Sequence, residues 1–170
     1  MMDVLAKYAP CAGDFEEVVG NKPGSNEEVI LGATTNDPLA ARVFKTISEE
    51  HIGEMSFFRV YSGKVNAGDN LINTTRNNSE KMRQIYFISG NKRKDAAQMI
   101  AGDIGAALKL KNTHTGDTLS NPKNSILLPA IKYPSLNMSF AIKPKARGDE
   151  EKIANGLAVM HEEDPTFVYK

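Results

Sequence analysis

Between residues 38 and 71 apolar and β-branched residues come in short runs separated by turn formers. The run PLAARVFKTI (38–47) predicts a strand. Glu50-His51-Ile52-Gly53 reads as a turn, because glycine supplies the positive φ that a reversal commonly needs. A long central strand follows, carried by FFRVYSG (57–63), then the turn Asn66-Ala67-Gly68-Asp69 and a third short strand over 70–72. Alternation in the central strand places Phe58 and Val60 on one face and Met55, Phe57 and Tyr61 on the other. Both faces are apolar, so one is expected to fill a barrel and the other to pack against a neighbouring domain.

Further along, residues 80–89 read as one strand with Met82, Ile85, Tyr86, Phe87 and Ile88. Gly90-Asn91-Lys92-Arg93-Lys94 reads as an exposed basic loop, and residues 96–100 as a short apolar run. From Ile104 the alternation is clean, with Ile104, Ala106, Leu108 and Leu110 on one face and Gly105, Ala107, Lys109 and Lys111 on the other. That pattern predicts a half-buried strand. Gly-Asp recurs at Gly68-Asp69, Gly102-Asp103 and Gly116-Asp117, each time just ahead of apolar residues. The glycine permits the turn and the aspartate can bond nearby amides, so these pairs are strand punctuation and not a metal site. About six short strands over 37–120 predict a small closed antiparallel β-barrel, which removes the open edges of a meander.

The flanks read differently. Residues 2–8 predict one or two helical turns stopped by Pro10, and residues 11–36 a connecting segment whose tail, 28–31, pairs as a short strand. Pro122, Pro129 and Pro134 mark 121–134 as a linker. Over 135–170, Leu136, Met138, Phe140 and Ile142 alternate with polar residues as in a strand, and a helix begins near Asp149. Its buried stripe would be Ile153, Leu157 and Met160; Asp164-Pro165 ends it and Phe167-Val168-Tyr169 opens another strand. Strand, helix, strand is the first half of a ferredoxin-like α+β fold, which looks truncated here.

Composition is that of an ordinary globular protein, with 41% hydrophobic and 25% charged residues. No apolar run reaches membrane-helix length and no signal peptide opens the chain, so a cytoplasmic protein without membrane contact is expected. The single Cys11 excludes an internal disulfide and a zinc cluster. Zero net charge conceals polarisation: residues 1–35 carry −4, 76–95 carry +4, 96–148 carry +5 and 149–164 carry −5. The middle of the chain suits phosphate and the ends do not.

Catalytic and nucleotide chemistry find no footing. Gly63-Lys64 lacks the glycine five residues earlier that a phosphate loop needs, since Phe58 sits there, and no Asp-x-x-Gly occurs. In Asn91-Lys92-Arg93-Lys94-Asp95 the aspartate falls one place too late for a guanine-reading motif. His51, His114 and His161 lie far apart without metal-ligand spacing. What stands above background is the basic run: Lys81, Arg83, Lys92, Arg93 and Lys94 can approach phosphates, with Asn91 as an adaptable hydrogen bonder and Tyr86 as a stacking face. A charge run that merely keeps a loop solvated is the competing explanation.

The order ARVFKT (41–46), H-x-G (51–53), SFFRVYSG (56–63), AGD (67–69), AGDIGA (101–106), THTGDTL (113–119) and HEEDPTF (161–167) resembles elongation factor G, a translational GTPase. The resemblance covers most of the chain and implies that residues 1–36 end a GTPase domain and connect it onward. It implies that 37–120 form the β-barrel second domain and 135–170 the start of a ferredoxin-like third domain. It further implies a non-catalytic piece, monomeric, of a parent that uses GTP and Mg and docks on small-subunit ribosomal RNA. Met55, Phe57 and Tyr61 are then candidates for packing against the parent's other domains. The family pattern Arg-Leu-Leu-x-Met-His-Ala-Asn is replaced by Gln84, Ile85, Tyr86, Phe87, Ile88, Ser89, Gly90 and Asn91, which suggests a diverged paralogue. Other readings are another translational GTPase, such as a ribosomal protection protein or a release factor, or an unrelated small ligand-binding barrel.

Overall fold

The computed structural model describes residues 2–14, 17–25, 27–49, 53–146 and 148–170. A short helix, α1 (Met2–Tyr8), precedes a two-stranded ladder of β1 (Val18–Asn21) and β2 (Glu28–Leu31). The main body holds β3 (Ala40–Glu49), β4 (Gly53–Ser62), β5 (Lys64–Asn66), β6 (Asn70–Asn73), β7 (Asn78–Lys81) and β8 (Ile85–Ser89). It continues with β9 (Lys92–Ala96), β10 (Gln98–Ile100), β11 (Ile104–Leu108) and β12 (Thr118–Ser120), and a helix, α2 (Glu150–Glu163), follows. The chain is mainly β. Of the turn expected at Glu50-His51-Ile52-Gly53, all but Gly53 lie outside the described residues; Gly53 has φ +87°.

Eight antiparallel strands form one sheet in the order β7-β6-β12-β3-β4-β11-β8-β9, and β5 pairs with β10 beside it. The ladder is not closed, contrary to the expected barrel. After β7 the chain turns inward at Met82, whose amide donates to the Asp69 carbonyl at 2.9 Å and whose carbonyl accepts from Gly68. Those groups serve the β5–β6 turn instead of joining β7 to β9. This turn also breaks residues 80–89, expected as one strand, into β7 and β8, with Met82 buried between them.

The sheet nevertheless curls around one core. Val43, Phe58, Val60, Val65, Ile85, Met99, Ala107 and Leu119, drawn from strands β3 to β12, form a single buried cluster. Phe58 and Val60 occupy the inner face as their alternation predicts. β11 is buried on both faces at its middle, at Gly105, Ala106 and Ala107, and Leu110 beyond it joins the core as its alternation predicts. Ala107 joins the core while Ile104 is 52% exposed. Gly105 pairs with Phe58, and a Cβ on it would lie 2.2 Å from the Met99 sulfur, so large neighbours demand the small residues inside.

A second cluster joins Leu31, Ala40, Ile126 and Leu128, with Val18, Val29 and Tyr61 packed against it. Asn21 and Leu127 exchange both backbone hydrogen bonds at 2.8 Å, so the β1–β2 ladder and the proline-containing segment are stitched together. Each Gly-Asp turn has the same construction. The carboxylates of Asp69, Asp103 and Asp117 accept from the amide three residues earlier, at Asn66 (2.8 Å), Ile100 (2.9 Å) and His114 (2.9 Å). The preceding glycines sit at φ +93°, +97° and +97°.

The C-terminal strands do not form. Residues 135–143 make no ladder, and Leu136, Met138, Phe140 and Ile142 are all exposed; residues 167–169 are likewise unpaired. Alternation specifies a strand only when a neighbour supplies hydrogen bonds, and none of the described strands lies alongside. The helix forms and meets β3, but its stripe is not fully buried: Ile153 and Leu157 are half-buried and Met160 is 51% exposed.

Candidate nucleic-acid interface

The basic residues 92–94 are a strand, not a loop. Apolar β8 supplies the ladder, with Ser89 opposite Lys92, Ile88 opposite Arg93, Phe87 opposite Lys94 and Ile85 opposite Ala96. That register leaves Gly90-Asn91 as a two-residue turn, and Gly90 takes φ +57° at its first position. β9 is a sheet edge, and lysines on an edge are compatible with a strand because they have water on one side. Strand pleating then splits the charges. Lys92 and Lys94 share the side of Ala96, which packs on the core, whereas Arg93 and Asp95 take the opposite side with Ile88 and Tyr86.

Asn91, Lys92, Arg93 and Lys94 are all exposed. Tyr86 is half-buried, its hydroxyl donating to Gln84 Oε1 at 3.0 Å, and it lies in a row across the outer face with Phe57, Ala106 and Asp95. Lys81 and Arg83 are exposed as well, but Lys81 pairs with Asn70 at the β7 edge, the other end of the sheet order. The ladder therefore puts Tyr86 and Arg93 on one side of the β8–β9 hairpin, while Lys81 lies on β7 and Arg83 between β7 and β8.

The outer face of β4 carries the other candidates. Phe57 lies 6.4 Å from Phe44 ring to ring, and Tyr61 is flanked by the guanidinium groups of Arg42 (5.9 Å) and Arg59 (5.3 Å). Met55 is fully buried, at 2% exposure. Phe57 and Tyr61 are half-buried, and Tyr61 already packs within this chain on the second cluster.

Sequence reading missed a buried polar network beneath the β11–β12 connection. Glu80 accepts from the amides of Lys111 (3.2 Å) and Asn112 (2.6 Å) and from the Thr113 hydroxyl (3.0 Å). Asn73 Nδ2 donates to the Asn112 carbonyl, to Thr113 Oγ1 and to Asp117 Oδ2, the last at 2.8 Å. Arg76 Nε donates to the same Asp117 oxygen at 2.8 Å. These groups come from residues 73 to 117, and only the Gly-Asp signature at 116–117 hinted at them.

No group of three or more His, Cys, Asp or Glu among the described residues is placed to hold a metal. The Gly63 amide, the donor that a phosphate would need, donates to the Thr34 carbonyl at 2.8 Å, and the Gly63 carbonyl accepts from the Ala101 amide at 3.0 Å.

The family model described as elongation factor G domain 2 matches residues 38–122, half of the chain. The chain belongs to the elongation factor G family. A second model, elongation factor G domain III, matches residues 133–170. A crystal structure from Thermus thermophilus superposes with a TM-score of 0.65 at 25% identity, covering 76% of this chain and 20% of that one. The chain thus spans about one fifth of the length of that protein. The two matched domains are those of a translation elongation factor, and neither is the domain that carries GTPase motifs. Among the described residues no helix is long and apolar enough to cross a membrane.

Proposed function

We infer that this chain is the domain 2 and domain III part of a cytoplasmic translation factor, in which the β body links a GTPase domain to the domains that follow and docks on small-subunit ribosomal RNA. The observation that carries the reading is the pair of family matches in order along the chain, 38–122 and then 133–170. The docking part is supported by the exposed β9 edge, where Lys92, Arg93 and Lys94 follow the Asn91 turn. Such residues contact phosphates and read shape, with no base specificity. GTP and Mg belong, on this reading, to the parent's GTPase domain.

Two measurements test it. Calorimetry of this chain with GTP and Mg is expected to give no binding heat; a micromolar complex would overturn the assignment. For docking, this chain is titrated with isolated small ribosomal subunits across a salt series. Because pleating puts the lysines and the arginine on opposite sides, Lys92→Ala/Lys94→Ala and Arg93→Ala separate the two faces. The face that meets RNA is expected to lower the slope of log affinity against log salt by about 0.7–0.9 per lost contact, while the other leaves it unchanged. Unchanged affinity and slope in both variants would show that β9 only keeps the sheet edge solvated.

A further inference from the structure

The acidic end of α2 is electrostatically out of place on its own helix. Glu162, Glu163 and Asp164 gather at the C-terminus, where the helix dipole is already negative and cations are favoured. Their neighbour His161 turns to the Phe167 carbonyl, which its Nδ1 meets at 2.5 Å. Partners come from the sheet instead. The Ser48 amide of β3 donates to Glu163 Oε1 at 2.8 Å, and His114 Nδ1 meets Glu162 Oε2. The Glu162 side chain is only 16% exposed and its Oε1 is buried without a partner, so this carboxylate has left water to reach the imidazole. His114 is fixed from behind: its amide donates to Asp117 at 2.9 Å, and the Thr115 hydroxyl donates to Thr46 Oγ1 at 3.1 Å.

Arg42 and Asp164 also share this neighbourhood. Both act on Tyr133, whose phenol pKa is raised by burial, lowered by Arg42 and raised by Asp164. Asp164 itself is held below the ordinary carboxylate value by the Thr166 hydroxyl and amide, and so stays charged at neutral pH. No residue of α2 is fully buried, and of its apolar stripe Ile153 and Leu157 are half-buried, so apolar contact alone seats the helix weakly. The polar contacts must then decide whether it docks.

We propose that Glu162 and Glu163, seated on His114 and the Ser48 amide, form a latch that holds the domain III segment against domain 2. The latch joins the segments THTGDTL and HEEDPTF, 48 residues apart between His114 and Glu162. Opening it releases α2 and leaves the sheet folded, because the core of the sheet includes no residue of the helix. The device couples the charge of one side chain to the relative placement of two segments.

Native-state amide exchange on the full chain tests it, comparing α2 with β4 in Glu162→Gln, His114→Ala and the double variant. Exchange across α2 is expected to rise about tenfold in each single variant and no further in the double, with β4 unchanged. The swapped pair His114→Glu/Glu162→Lys is expected to regain most of the protection. Should His114→Ala also speed exchange in β4, Glu162→Gln, which leaves the sheet untouched, decides alone. Unchanged α2 exchange in Glu162→Gln, or single effects that add in the double variant, would overturn the latch.

Discussion

Gly63→Ala is expected to lower stability by about 2–5 kcal/mol, the sum of two costs. At φ +73° alanine is forced into the left-handed region, which costs about 1–2 kcal/mol. Its Cβ would also stand 2.7 Å from the Asp37 carbonyl oxygen and 2.8 Å from the Leu39 nitrogen and Cα. These are backbone atoms, so no rotamer change relieves the overlap, and overpacking adds roughly 1–3 kcal/mol. The melting temperature should fall by roughly 10 °C for a domain of this size. Gly68→Ala is the control: φ is +93° but nothing lies within 4 Å, so only the backbone cost of about 1 kcal/mol remains. Equal losses in the two variants would show that the close approach to residues 37–39 is not a constraint.

Asp117→Ala is expected to cost about 3–5 kcal/mol, as removal of one partner from a buried charged network does. The carboxylate is 3% exposed and receives hydrogen bonds from Asn73, Arg76 and His114. Without it the Arg76 guanidinium, 47% exposed, can turn to water, which moderates the loss. The fully buried Asn73 amide keeps the Asn112 carbonyl and Thr113 Oγ1 but loses its shortest bond, and the turn that presents His114 loses its clasp. Asp69→Ala removes the same kind of clasp without a cation partner or a buried network and should cost only about 1 kcal/mol. Urea unfolding separates the outcomes: the Asp117 variant shifts the midpoint several times further than the Asp69 variant at constant m-value. Similar midpoints would mean that Asp117 matters only as a turn residue.

Legibility followed the kind of force at each place. Inner-facing Phe58 and Val60 were readable because alternation reports burial directly, and the Gly-Asp turns were readable because turn chemistry is local. The β9 strand was not, since Lys92, Arg93 and Lys94 have no apolar period and owe their conformation to β8. Alternation was right for Leu110 and wrong for Ile104: hydrophobicity favours Ile104 for the core, but the core takes Ala107, and Met99 leaves no room for a side chain at Gly105. It also named a strand at Leu136–Ile142, where pattern existed without a ladder. Asn73, Glu80 and Asp117 look like surface residues one at a time. Only the packed structure shows that they belong to one another, and likewise His114 with Glu162.

The sheet order has a consequence for the way the protein comes into being. β12, the last strand of the body to leave a ribosome, lies between β6 and β3 and pairs with both. Until residues 118–120 are synthesised, β3 and β6 each have a bare edge facing the gap between them. The hairpins β3–β4, β6–β7 and β8–β9 can assemble early from neighbours in sequence, and β11 joins β4 to β8, but joining β6–β7 to β3 awaits a segment about eighty residues downstream of β3. The body therefore cannot mature strand by strand. Its completion is a single late insertion, during which the open edges are vulnerable to pairing with other nascent chains.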